Sequence, residues 1–400
     1  MSPKPVPLGV LDLVPVASGS SPGEAVRNAV DLARRTESFG YRRYWFAEHH
    51  LNPGVAGSSP PILIALVAAA TDHIRLGSGG VQSGHRTALS VVEEFGLIDA
   101  LHPGRLDLGL GRSGGRDFLE QQLRVAAFSD GVNPPRPRSS GTAPARRPTP
   151  TPGDRGRRHT ANGLLIPERP SLAGLLGSPR IRLTADLLQQ AGAQTADYGD
   201  LVRDIVGLLR GTYRSADGLD PHPVPGQGAQ VEPWVLGSSA GQSASVAGEL
   251  GLRFAANYHV SPATVLEAAD AYREAFVPSA DLDRPYVAVS ADVVVGADDD
   301  AAQELAAGYA LWVRSIRRGE GAMEFPNAGE AAGHRWTDED RALVADRVDT
   351  QFVGSPGTVA AGLERLQEAT GADELVITTI THDHADRVRS YELLAKEWLD

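Results

Sequence analysis

The chain contains no cysteine. That excludes disulfides, thiolate metal sites, iron–sulfur clusters and cysteine nucleophiles. It leaves the redox compartment open, because a chain without thiols survives in either. There is no excess of positive charge: 38 basic residues against 50 acidic ones give a formal net charge of −12. This argues against a general affinity for nucleic acid or anionic membrane. Long hydrophobic runs are missing too. The longest uninterrupted apolar stretch, Ile62–Ala70, falls far short of the ~20 residues a membrane span needs. The N-terminus lacks the marks of a targeting segment, since Asp12 and Pro15 break its apolar stretch and no basic run precedes it. A cytoplasmic protein without nucleic-acid or membrane partners is the expectation.

What is present is ordinary globular material: 400 residues, 42% hydrophobic and 22% charged. One (β/α) barrel with insertions spans this length, and so would two average domains. Short apolar runs alternate with longer amphipathic ones almost from end to end. The strand candidates are Leu8–Val14, Arg43–His49, Ile74–Val81, Arg105–Gly111, Pro233–Ser238, Arg253–Tyr258, Tyr286–Gly296 and Glu374–Thr381. Most are rich in Val, Ile, Leu or aromatics, as buried parallel strands are. Helix-period segments lie between them, including Glu24–Phe39, Pro61–Thr71, Ala88–Leu101, Ala240–Leu250, Ala263–Phe276 and Thr358–Thr370. Ser21-Pro22-Gly23-Glu24 reads as a capping box with proline in the first turn, and Gly40 suits the left-handed residue that closes a helix. Eight strands alternating with helices point to a parallel α/β protein, and eight is the number that closes a (β/α)8 TIM barrel. A doubly wound open sheet is the competing architecture.

One stretch breaks the rhythm. Residues 130–180 hold ten of the 28 prolines and nine arginines against three acids, a local charge of +6 that leaves −18 for the remainder. Pro134–Arg158 has almost nothing to bury and cannot offset its ordering entropy. We expect a mobile insertion within a single domain of residues 1–400, following the fourth strand. It serves either as a lid over the site or as a solvated tail.

In a parallel barrel, chemistry gathers at the C-terminal ends of the strands. The second strand ends in Glu48-His49-His50, a carboxylate and two imidazoles suited to acid–base work near neutral pH. A structural histidine capping a turn is the plain alternative. The third ends Gly77-Ser78-Gly79-Gly80, which suggests a bulge or the close approach of another body such as a flat ring. Ordinary packing glycines would look the same. The fourth delivers Arg112-Ser113-Gly114-Gly115-Arg116, a forked cation with a hydroxyl and accessible backbone, as a phosphate needs. The fifth runs into Ser238, Ser239, Gly241 and Ser243 directly before a helix, an anion cradle or a plain N-cap. The sixth ends Asn257-Tyr258-His259 and the eighth Thr381-His382-Asp383-His384, where two histidines spaced by one residue raise the possibility of a metal.

In this order, Glu-His-His, Gly-Ser-Gly-Gly, His102-Pro-Gly-Arg-Leu-Asp-Leu-Gly-Leu-Gly-Arg112, Trp234-Val-Leu-Gly-Ser-Ser239, Gly354-Ser-Pro356 and Thr381-His-Asp-His384 resemble the bacterial luciferase-like flavin-dependent monooxygenases over residues 5–120 and 196–400. The resemblance implies a (β/α)8 barrel. It implies that His49, supported by Glu48, acts in proton transfer beside a flavin ring. It places Gly79-Gly80 against that ring, where the family often has a cis peptide. Arg112, Ser239, Ser243 and the adjacent Ser238 would hold the flavin phosphate, and Tyr258 and His382 would line the pocket. The implied chemistry uses reduced FMN, supplied by a separate flavin reductase, and dioxygen; a peroxyflavin then oxygenates a small organic substrate. The alternative within the fold is hydride transfer by a deazaflavin coenzyme. A homodimer through helices near the second and third strands is the family habit. Two readings from other classes remain: a metal-dependent hydrolase using His49, His259 and His382, and a non-catalytic flavin-binding protein.

Overall fold

Alternation along the strands separates two apolar shells. In the computed structural model, which describes residues 5–113, 116, 119, 120, 123 and 156–399, strands β1 (Leu8–Asp12), β2 (Arg43–Phe46), β3 (Arg75–Ser78), β4 (Leu106–Gly111), β5 (Val231–Gly237), β6 (Arg253–Asn257), β7 (Val287–Val295) and β8 (Glu374–Thr378) pair in parallel, each with the next in sequence. β8 returns to β1 through Leu8↔Leu375 and Val10↔Ile377, closing the barrel. Each strand falls within or beside the segment its apolar run announced. Outward side chains such as Val10, Tyr44, Leu76, Leu108, Phe254 and Val289 meet the helices. Inward ones, including Leu11, Trp45, Trp234, Ala255, Ala288 and Val376, fill the barrel. A strand covered on both faces has no solvent side, so its sequence reads as a continuous apolar run.

Helices α1 (Pro22–Ser38), α2 (Pro60–Ala68), α3 (Ala88–Asp99), α4 (Tyr198–Arg210), α5 (Gln242–Glu249), α6 (Val265–Ala275), α7 (Pro356–Thr370) and α8 (His384–Trp398) follow the strands in turn. The Ser21 hydroxyl accepts the Glu24 N–H at the start of α1, and Gly40 takes a φ of 88° just past its end. No helix among the described residues is long and apolar enough to cross a membrane.

Two connections depart from the simple repeat. The expected insertion lies partly outside the described residues, over 130–155. Its described part, 156–180, carries an antiparallel pair, Arg158–His159 with Leu165–Ile166. Leu164 and Ile166 are buried in the core, and Asn162 Nδ2 donates to Arg365 O on α7. Those apolar residues supply what Pro134–Arg158 lacks. The other departure follows β7. Residues 297–355 lie outside the strand and helix segments named from the sequence, and they form helices Asp299–Leu305, Tyr309–Arg317, Ala328–Ala332 and Asp338–Val348 and the strand Phe352–Gly354 beside β7. Tyr309, Trp312, Phe325 and Val344 continue the apolar filling of the barrel beyond its C-terminal edge.

Candidate active site

The site is built at that edge, beginning with the end of β2. Glu48 is buried, and four donors surround its carboxylate. His50 Nε2 lies 3.0 Å and His85 Nε2 3.2 Å from Oε1, Arg86 Nη2 lies 3.5 Å from the same oxygen, and the Gln82 N–H donates to Oε2 at 2.9 Å. Burial alone would raise its pKa, but the hydrogen bonds from His50 and His85 and the charge of Arg86 outweigh it and bring the group down to about 2. Glu48 is therefore a fixed anion at neutral pH rather than a proton donor. His49 is anchored by its backbone N–H to Gly57 O at 2.8 Å. Its ring faces two cavities at once. The surrounding wall, then the charge of neighbouring His50, lower its pKa below the ordinary 6.5 against the weaker pull of Glu48, and solvent reaching the exposed residue damps the shift. The imidazole is thus neutral near pH 7 and able to take a proton.

The glycines after β3 make a bulge. Gly77 pairs with Asp107 and Val81 with Leu110, four residues on one strand against three on the other. The Gly79–Gly80 peptide within it is cis. A Cβ on Gly80 would sit 2.6 Å from Gly109 O, and one on Gly79 would sit 2.5 Å from Leu11 Cδ1. Both readings of these glycines meet here: internal packing demands them, and the same peptide walls the cavity.

The opposite wall comes from β4 and β5. Arg112 and Ser113 leave β4, and Gly237, Ser238, Ser239 and Gly241 carry the chain from β5 into α5. Gly241, not Ser239, is the N-cap of α5, and no side chain caps its first turn. The first N–H groups of a helix have no internal partner and carry the positive end of its dipole. Ser243 stands inside that turn and is buried. Arg112 Nη1 is 3.5 Å from Gln242 Oε1, and Gln242 Nε2 donates to Asp197 at 2.9 Å. The cavity between these walls holds about 440 Å³, within the usual range for small-molecule sites. It brings together His49, Glu48, Gly79, Gly80, Arg112, Ser238, Ser239 and Ser243.

Two expected pocket residues are not brought there and are corrected. Tyr258 follows the inward Asn257, so it turns outward into the helix shell; it stacks on Phe352 and donates to Leu165 O at 2.6 Å. His382 lies beyond β8 and bonds Ser18, with Nε2 3.1 Å from its carbonyl oxygen and 3.2 Å from its hydroxyl. Neither lines the cavity. His49, His259 and His382 form no ligating cluster among the described residues. Among the described residues the group whose ligand atoms come within 4.8 Å of one another is Glu48, His50 and His85, and the Arg86 guanidinium already lies 3.5 Å from its carboxylate. Asn257 was the residue to choose on β6. Its Oδ1 is buried in the cavity wall without a protein partner, and the two-residue period counted from the inward Ala255 would have found it. His85 and Gln82 carried no signal, because nothing in the sequence ties them to Glu48.

A closed (β/α)8 barrel with an imidazole, a cis Gly-Gly peptide and an anion cradle around one mouth cavity defines the class. The family model for luciferase-like monooxygenases matches residues 6–129 and 181–374. The chain belongs to that family. It is 34% identical over 391 residues to the uncharacterized protein YvbT of Bacillus subtilis (strain 168), covering 98% of this chain and 96% of that one. It is 31% identical to a luciferase-like monooxygenase of Escherichia coli (strain K12), covering 98% and 97%. Among solved structures it resembles apo-MsnO8, with a TM-score of 0.73, 28% identity and 98% of each chain covered. Two more distant structures share the fold alone. The oxygenating constituent of 3,6-diketocamphane monooxygenase of Pseudomonas putida, in complex with FMN, has a TM-score of 0.61 at 19% identity and covers 98% and 97% of the chains. An F420-dependent secondary alcohol dehydrogenase with an F420–acetone adduct has a TM-score of 0.57 at 14% identity and covers 99% and 100%.

Proposed function

We propose that this chain is a flavin-dependent monooxygenase that takes reduced FMN and dioxygen and oxygenates a small organic substrate. The observation that carries this reading is the polarity of the mouth cavity. One end offers Arg112, Ser239, Ser243 and the uncapped start of α5 to a phosphate, and the other offers the Gly79–Gly80 peptide and His49 to a ring. The donor set fits such a cofactor: cation, hydroxyls and N–H groups surround the phosphate end, and Glu48, the carboxylate that lines the cavity among the described residues, is already answered by His50, His85 and Arg86. The unpartnered Asn257 Oδ1 would accept from an N–H of the ring.

FMN, once bound and reduced, supplies the electrons for oxygen activation. The chain's residues do the rest. Arg112 and the serines fix the phosphate, and the glycine bulge sets the depth of the ring. Neutral His49 takes or returns a proton at its ring nitrogen, and Glu48 orders the loop that holds it. The barrel walls limit water. A separate flavin reductase would supply the reduced cofactor. A second copy of the chain would cover the apolar outer face of α2 and α3, where Ile62 is 63% and Leu97 60% exposed.

The same cradle accommodates a phosphate-bearing deazaflavin, and the fold neighbour holding an F420 adduct keeps that reading alive. Titration of FMN and of the deazaflavin in both oxidation states, followed by aerobic turnover with an added flavin reductase, tests the choice. Tight binding of reduced FMN with oxygen uptake is expected. Deazaflavin binding without FMN binding would overturn it.

A further inference from the structure

His49 is a wall shared with a second cavity of about 670 Å³. This one lies between the β1–α1 and β2–α2 loops and the helix Pro179–Leu188. Its apolar walls include Val16, Leu51, Pro53, Val55, Leu187 and Leu188. Among the described residues no aspartate or glutamate lines it, and its one guanidinium is Arg180. Arg180 Nη1 donates to Leu51 O at 2.7 Å, which holds the planar group against the rim and leaves its other N–H donors to a ligand. Asn52, another polar wall residue, spends its amide elsewhere: Nδ2 donates to His50 O at 2.9 Å, and Oδ1 accepts the Ala322 N–H at 2.7 Å.

An apolar chamber with an exposed guanidinium tethered at its rim by one bond, and no acid among its described lining residues, selects against cations and gives neutral molecules no charged partner. We propose that this cavity binds an organic monoanion, an apolar body bearing a carboxylate, with the carboxylate on Arg180 and the body against the leucine and valine walls. Arginine suits a planar carboxylate because its N–H fork matches the two oxygens. That this ligand is the substrate rests on the flavin-dependent reading above. The ligand class rests on the lining alone.

The test uses the full-length protein with octanoate and 1-octanol as probes in calorimetric titrations. Octanoate is expected to bind about tenfold tighter than octanol. Arg180→Gln should abolish that preference while octanol binding stays, and Arg180→Lys, which keeps the charge, should retain part of it. Equal affinity of the two probes in the wild-type protein, or an undiminished preference in Arg180→Gln, would overturn the proposal. FMN titrated into the same wild-type protein reports separately. A carboxylate preference without flavin binding upholds the ligand class and removes the flavin reading. Flavin binding without the preference does the reverse.

Discussion

The two ends of the barrel use charge in opposite ways. At the N-terminal floor, Arg43 is buried between Asp107 at 2.5 Å and Glu374 at 2.6 Å, and its guanidinium lies over the Trp234 ring. Arg75 joins Asp107 at 2.7 Å and Glu232 at 3.4 Å, and Arg253 meets Glu232 at 3.5 Å. Each of these three cations is answered by a carboxylate of the protein itself. At the C-terminal mouth polar groups are left without protein partners: the first turn of α5 has no side-chain cap, and the acceptor Asn257 Oδ1 receives no hydrogen bond. The floor spends its polarity on holding strands together, and the mouth keeps its polarity for a ligand. This is the division expected of a barrel whose stability and chemistry sit at opposite faces.

The sharpest way to break that comparison is to remove Arg43. Arg43→Ala leaves Asp107 and Glu374 buried without their shared cation, and a broken buried pair costs about 3–5 kcal/mol. Urea unfolding should show a loss of that size, while FMN affinity of the folded protein stays close to wild type. A variant as stable as the parent would mean that the floor network is decoration. His49→Ala inverts the pattern. The melting temperature should hold, and turnover should fall by about 10²-fold or more, the usual scale of acid–base help. Wild-type turnover in the flavin-loaded variant would remove His49 from the chemistry. Arg112→Ala comes next. It should weaken FMN by about 1.5–3 kcal/mol, the worth of a charge-assisted bond, and leave riboflavin, which has no phosphate, nearly untouched. Equal losses for both ligands would place Arg112 away from the phosphate.

How much of this was legible depends on whether a residue's role is local. The barrel strands were readable because burial on both faces leaves a mostly apolar run, as in Val287–Val295, which only Ser290 and Asp292 interrupt. The mouth residues just past those runs, His49 and Arg112, and Ser243 at the start of the helix after β5, were readable for the same reason: position after a strand fixes the end of the barrel. Tyr258 was misplaced by a single step of the pleat, since one residue's shift exchanges the barrel interior for the helix shell. The partners of Glu48 were not readable at all. His85 and Arg86 reach it from a short turn 37 and 38 residues along the chain, and only the closed barrel brings them together. The helices after β7 hid for a different reason. Tyr309–Arg317 carries its apolar residues in a short run, Tyr309–Val313, that no barrel strand follows directly, and only the fold shows that the barrel filling extends to meet it.

Titration gives the smallest effect and the most direct separation of the two ends. No histidine stands in the floor network just described, whereas His259 is held at the mouth with Nδ1 2.6 Å from Ser290 Oγ. Burial first, then the charge of Arg347 and the neighbouring His49, push its pKa down to about 3 from an ordinary 6.5. Between those values the unfolded chain binds a proton that the folded chain refuses, so stability rises with pH across the window and falls on acidification from 6.5 downward. One such group changes stability by at most about 1.4 kcal/mol per pH unit. Glu48 works in a lower window, because its contribution is complete above its ordinary 4.5 and is lost as the pH falls toward about 2. Melting temperature followed against pH should therefore begin to drop near 6.5 and steepen below 4.5. His259→Asn should flatten the upper part and leave the lower part in place. An upper slope identical in wild type and His259→Asn would show that the mouth imidazoles titrate as freely as solvent-exposed ones.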